Sequence, residues 1–308
     1  MNKKVTVIGA GNVGAEVARR IAEKELADVV LLDIVEGIPQ GKALDMLQAG
    51  PIVGYNTQII GTNDYGDTKD SDVVVITAGL ARKPGMSRDD LLKINADIIR
   101  SVVKNAVKES PNSILLLVTN PLDTMTYLAW KASGFPSERV LGMAPLLDLA
   151  RMSTFIALEL KCKVTDVKAT VLGTHGDLMV PVPSQTTVAG KSITELLSKE
   201  KLGKIVERTR KGGAEIVGYL KTGSAYYAPS AAAAYMAECI LKDKKEVIQA
   251  SVLATGQYGV KDLYIGLPAK IGKSGVESIV GIKLTNEEQA ALKKSAEAIR
   301  TTNQKIVF

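Results

Sequence analysis

The chain reads as an α/β protein, with a doubly wound parallel sheet over residues 1–143 and an α+β unit over residues 144–308. Three observations carry this reading. Through the first half, short β-branched runs alternate with segments whose apolar residues recur at helical spacing, the pattern of successive βα units. The stretches 72–77 (DVVVIT) and 113–118 (SILLLV) are apolar throughout their interiors, as strands covered on both faces are. Beyond Gly142 the alternation stops, and longer helices mix with short extended segments.

Taken in order, KVTVI at residues 4–8 is a β-branched strand that ends at glycine. Gly9, Ala10, Gly11, Asn12, Val13 and Gly14 follow, and Val13, Val17, Ile21 and Ala22 then fall at helical spacing. Residues 28–33 (DVVLLD) form a second strand that closes on Asp33. A G-x-G-x-x-G run between a strand and a helix, with an acid ending the next strand, is the dinucleotide fingerprint in its full context. Gly9 makes the tight turn, Gly11 lets the backbone approach a pyrophosphate, and Gly14 lets the helix pack closely on the strand. The helix N-terminus offers free N–H groups and the positive end of its dipole to phosphate. Asp33 is placed to accept from the adenine ribose. Ile34 and Val35 follow it, with no arginine nearby for a 2′-phosphate, which favours NAD over NADP. The first half is therefore expected to be a Rossmann domain that binds NAD.

Further strands are expected at 58–61, 72–77 and 113–118, with helices between them. Val118, Thr119, Asn120 and Pro121 end one of these strands, and Asn120 projects where ligands bind in such sheets. Pro121 suits the first turn of the next helix. Residues 78–90 (AGLARKPGMSRDD) carry three cations at a strand's carboxyl end. They read as a solvated loop or as a lid that brings arginines over an anionic substrate.

In the second half, 146–160 reads as a helix with Asp148 and Arg151 three apart on one face. A surface ion pair would look the same. Residues 168–172 read as a strand that delivers His175 on a turn flanked by Gly173 and Gly176. His175 is the only histidine. An imidazole can give and take a proton near neutrality, although a loop histidine without a role fits this local pattern equally well. Extended segments are expected near 179–188 and helices over 205–220 and 231–242, with Pro229 ahead of the second. Antiparallel strands are expected at 251–253, 263–267 and 276–282, with a closing helix over 286–305.

Composition narrows the function classes. Hydrophobic residues make up 46% and charged residues 23%, as in a globular protein. The longest aliphatic run, 114–118, cannot span a bilayer, and 5–8 is too short for a signal-peptide core. A cytoplasmic protein with no membrane partner is expected. The net charge of +6 comes from cations spread along the chain among acids, and aromatics are only 4%. This argues against nucleic acid and for mild attraction of small anions. Cys162 and Cys239 form no metal-binding pattern, and no metal site is expected.

Several segments coincide with one family. AGLARKPGMSRDDLL (78–92), Asn95, VTNPLD (118–123), LDLAR (147–151), GTHGD (173–177) and GSAYYAPS (223–230), together with the fingerprint and Asp33, make the chain resemble the lactate/malate dehydrogenases over essentially its whole length. Within that family it is most similar to the lactate-dehydrogenase-like malate dehydrogenases. The resemblance implies His175 as the acid/base, oriented by Asp148. It implies Arg151 as the fork for a substrate carboxylate, Arg88 as the group that polarises the carbonyl, and Asn120 as donor to the reacting oxygen. Asn95, Val118, Thr119 and Asn120 would line the cofactor site, and Arg82 would select the far end of the substrate. At Pro145 and Leu149 the chain departs from the glycine and serine usual in the family.

The activity implied is reversible hydride transfer between malate/oxaloacetate and NAD in a homotetramer, a dimer of dimers. The alternatives are a lactate or other 2-hydroxy-acid dehydrogenase, or a non-catalytic NAD-binding protein with a structural or sensing role. The set His175, Asp148, Arg151 and Arg88 argues against the last, because a binding module needs none of them.

Overall fold

The computed structural model describes residues 3–80 and 86–306, apart from the side chain of Arg88. The elements run β1 (Lys4–Ile8), α1 (Asn12–Glu23), β2 (Asp28–Leu32), α2 (Ile38–Val53), β3 (Ile59–Thr62), β4 (Val73–Ile76), α3 (Arg88–Glu109), β5 (Ile114–Leu117), α4 (Leu122–Ser133), β6 (Val140–Pro145) and α5 (Leu146–Leu160). They continue with β7 (Val167–Lys168), β8 (Val171–Leu172), β9 (Val180–Pro181), β10 (Thr187–Val188), β11 (Lys191–Ser192), α6 (Ile193–Leu196), α7 (Lys199–Leu220), α8 (Tyr227–Leu241), β12 (Glu246–Thr255), β13 (Lys261–Gly272), β14 (Gly275–Ile279) and α9 (Asn286–Asn303).

Among the described residues one sheet dominates, with strand order β14-β13-β12-β6-β5-β4-β1-β2-β3. The six strands from β6 to β3 are parallel and have the Rossmann order. Alternate residues of each strand serve opposite cores. Val73, Val75 and Leu116 face Val17 and Ile21 of α1 and Met236 of α8. Val74, Ile76, Leu115 and Leu117 face Ile99 of α3 and Met125 of α4. Strands buried on both faces must be apolar at every position, which is why VVVI and ILLL show no alternation.

The antiparallel strands of the second half do not form a separate sheet. β12 pairs with β6, and β13 and β14 follow, so the long sheet continues past its parallel part. This covers the open backbone edge of β6. The expected strand at 168–172 is interrupted, with β7 and β8 joining different small sheets. The helix expected from 205 begins at Lys199, where the Ser198 side chain caps it. α8 starts at Tyr227, so Pro229 lies inside its first turn, where a missing N–H costs nothing. Pro145 pairs with Ala250 of β12, and its ring finds room against Gly266 of β13, where a Cβ would lie 2.2 Å from it. Leu149 packs against the cluster of Met152, Ile156 and Val171. Among the described residues no helix is long and apolar enough to cross a membrane.

Candidate active site

The loop from β1 to α1 has the shape the fingerprint requires. Gly9 has φ +106°, a left-handed conformation that disfavours side chains. A Cβ on Gly14 would lie 1.8 Å from the Gly9 carbonyl oxygen. Over Gly11 there is open space, and α1 begins there without a side-chain cap. The first amides of α1 thus remain available to an anion. Asp33, at the end of β2, accepts from Ala10 N at 2.6 Å and Val35 N at 3.0 Å. This cradle, uncapped and bare of side chains, fits a dinucleotide. The sequence offers no cation close behind Asp33, but the fold brings Lys42 of α2 to the Ala10 carbonyl at 2.7 Å.

Val118 and Asn120 line a cavity of about 370 Å³ that opens beyond the fingerprint residue Val13. Thr119 and Asn95 lie behind its wall. Thr119 donates to the Ala78 carbonyl at 2.6 Å. Asn95 is fully buried, and its amide is used by Leu80 N (2.8 Å), Leu80 O (3.2 Å) and Asn120 O (2.7 Å). It therefore ties the start of the 78–90 segment to the Asn120 loop. Its spacing in the sequence could not distinguish these two positions.

His175 and Arg151 face the same cavity, together with Arg210 and Gly213 of α7 and Ser224, Ala225 and Pro229 near α8. A second hollow of about 520 Å³ meets His175 from the side of α3 and α9. The ring is half-buried, not exposed on a turn tip as the flanking glycines suggest. Its Nδ1 lies 2.8 Å from Asp148 Oδ2. Asp148, fully buried, also accepts from Arg151 Nη1 at 3.2 Å through its other oxygen. A carboxylate only accepts, so Nδ1 carries the proton and Nε2 is left to exchange one with a ligand. Burial alone would push the imidazole pKa down, but the charge of Asp148 and its hydrogen bond reverse this and hold it above the ordinary value. Arg151 opposes that shift and Asp123 adds to it. The i, i+3 spacing in α5 thus makes a buried relay of charges, not a surface pair.

The turn that carries His175 is fastened from several elements. Gly173 exchanges backbone hydrogen bonds with Gly266 of β13 at 2.9 and 3.1 Å. Thr174 N donates to Ser295 of α9 at 2.8 Å. Thr174 Oγ1 and His175 N both donate to Asp123 of α4, at 2.7 and 3.1 Å. Sequence reading missed Asp123, Ser295 and Arg210. Only the position of Asp123 in the VTNPLD segment hinted at one of them. Arg82 lies outside the described residues, as does the side chain of Arg88. The backbone of Arg88 opens α3, behind a capping box in which Asp90 N donates to Ser87 Oγ at 3.0 Å.

Comparison with known proteins agrees with this geometry. The family described as "lactate/malate dehydrogenase, NAD binding domain" matches residues 3–142, and its "alpha/beta C-terminal domain" matches residues 146–307. A malate dehydrogenase from Pelodictyon phaeoclathratiforme is 59% identical over 297 residues, covering 96% of each chain. The structure of malate dehydrogenase from Salinibacter ruber is 50% identical with TM-score 0.94, covering 98% of this chain and 97% of that one. A lactate dehydrogenase from Cryptosporidium parvum, solved with lactic acid and NAD, is 44% identical with TM-score 0.96 and covers 99% and 98%.

Proposed function

The chain belongs to the lactate/malate dehydrogenase family, and on that premise we propose that it interconverts malate and oxaloacetate with NAD. The observation that carries the reading is the buried His175–Asp148–Arg151 relay at one wall of a cavity that also meets the dinucleotide cradle.

Residues 9–14 and Asp33 hold the cofactor, with Val118 and Asn120 beside it. When bound, the nicotinamide supplies a two-electron acceptor or donor for the substrate's C2 carbon. In reduction, His175 gives its Nε2 proton to the oxygen that becomes the hydroxyl of malate, and in oxidation it takes that proton back. Asp148 keeps the ring in the tautomer that can do this and stabilises the charged form. Arg151 grips the carboxylate next to C2. Asn120 and Arg88 donate to the reacting oxygen, where negative charge develops. Arg82 meets the second carboxylate of oxaloacetate, which pyruvate lacks. The cofactor part is assigned to residues 1–143 and the substrate part to 144–308, since His175, Asp148 and Arg151 all lie in the latter. A homotetramer, a dimer of dimers, follows from the likeness to the family, and the exposed Leu44, Leu47, Ile52 and Val53 of α2 support a subunit contact on that helix.

NADH oxidation measured with oxaloacetate and pyruvate side by side tests the reading. Pyruvate would leave the Arg82 cation without its carboxylate, and loss of a desolvated charge pair costs roughly 3–5 kcal/mol, so kcat/KM should favour oxaloacetate by about 10²-fold or more. Arg82→Gln should shrink that ratio. Preference for pyruvate would make the chain a lactate dehydrogenase.

A further inference from the structure

A second buried carboxylate bonds to the turn that carries the imidazole. Asp123 is the second residue of α4 and only 4% exposed. Its Oδ2 accepts from Thr174 Oγ1 at 2.7 Å and from the His175 backbone N–H at 3.1 Å. Its Oδ1 accepts from Ser251 Oγ of β12 at 2.7 Å. A buried carboxyl that only joined α4 to β12 would need Ser251 alone. Here two of the three bonds go to the turn that carries the ring. A backbone N–H can only donate, and both hydroxyls are placed to donate as well, so the complement of this nest is an anion. Its place in the first turn of a helix favours the same state.

We propose that Asp123 is a positioning residue for His175: it fixes the Thr174–His175 backbone, and its negative charge favours the protonated ring. The proposal rests on the reading of His175 as the proton donor. Among the described residues, the charged groups near the ring are Asp148 and Arg151 of α5, Asp123 of α4, Arg210 of α7, Asp177 on its own turn, and Asp89 and Lys305 across the second hollow. Of the carboxylates, Asp148 and Asp123 are the two that bond to His175 itself. Burial holds the carboxyl of Asp123 above the usual carboxylate range, and the bonds from Ser251, Thr174 and the His175 backbone, with the charge of the ring, offset part of that push. The two groups are therefore linked, because protonation of the ring favours ionisation of Asp123. α5 would hold the ring by its side chain and α4 would hold it by its backbone.

His175 is the only histidine in 308 residues, so one imidazole signal reports it without assignment. The experiment is an NMR titration of full-length, histidine-labelled protein beside pH profiles of oxaloacetate reduction, on wild type, Asp123→Asn and Thr174→Val. Asp123→Asn should move the imidazole midpoint and the break in the profile to lower pH. It should lower kcat by about 10- to 10²-fold, as expected for a displaced proton donor, while NADH affinity is kept. Thr174→Val removes one fastening and leaves the charge, so kcat should fall by about tenfold with the midpoint unmoved. A folded Asp123→Asn with the wild-type midpoint overturns the proposal. If that variant does not fold, wild-type kcat in Thr174→Val overturns it. The titration needs no substrate, so it decides the role of Asp123 separately from failure to turn over oxaloacetate, which would sink the dehydrogenase reading.

Discussion

His175 Nδ1 and Asp148 Oδ2 lie 2.8 Å apart, and the carboxylate between the imidazole and Arg151 is fully shut from solvent. Burial lowers the ring pKa and Asp148 more than restores it, so the ring stays protonated to a higher pH than a free histidine. Reduction of oxaloacetate requires the charged ring and should hold its rate through neutral pH, then fall above the raised pKa. Oxidation of malate requires the neutral ring and should rise through the same pH. Asp148→Asn should lower that pKa and cut turnover by roughly 10²-fold or more. His175→Asn should abolish turnover with NADH binding retained, measured by fluorescence titration. Substantial residual turnover would mean that another group supplies the proton.

α7 approaches Arg151 so closely that a Cβ at Gly212 would meet Arg151 Cδ at 3.0 Å and Nε at 3.5 Å. Gly212→Ala should therefore displace the guanidinium and raise KM for oxaloacetate by about tenfold. The same change favours the helix by about 0.8–1.0 kcal/mol through propensity alone. A variant at least as stable as wild type but poorer in substrate binding is the expected pair of results. An unchanged KM would show that Arg151 tolerates the methyl group.

Asp33 sits 2.6 Å from Ala10 N, at the end of the cofactor cradle. A 2′-phosphate there would face a carboxylate, and like charges repel. NADH should be preferred to NADPH in steady-state kinetics. Asp33→Ser should narrow the ratio, helped by Lys42 on the neighbouring carbonyl. An unchanged ratio in the variant would place the discrimination elsewhere.

Glu238 of α8 pairs with Lys24 at 2.7 Å and Lys244 at 2.8 Å, and those two hydrogen bonds hold its pKa at about 2 against an unfolded value near 4.5. A depressed carboxylate adds stability that is fully present above about pH 5 and is lost as pH falls toward 2. Glu238→Gln should cost of the order of 1–3 kcal/mol at pH 7, a discount from the full shift because both lysines are partly exposed. In thermal melts the gap between variant and wild type should close as the pH drops from 5 to 3. A gap independent of pH would remove the ion pairs as its cause.

Local pattern by itself determined much of this protein. Strand spacing, the glycine fingerprint and the acid at Asp33 follow from backbone periodicity, which is written in neighbouring residues. The pairing of Asp148 with Arg151 was legible because residues three apart share a helix face. The tertiary structure alone decided what stands behind His175. Asp123 reaches Thr174 across 51 positions and Ser251 across 128, and hydrogen bonds over such separations leave no periodic trace. It also decided that Asn95 braces the site from behind, that Lys42 returns to the fingerprint loop, and that β12 extends the parallel sheet from β6. Each of these depends on which open edge or unpaired donor lies close in space once the sheet has formed.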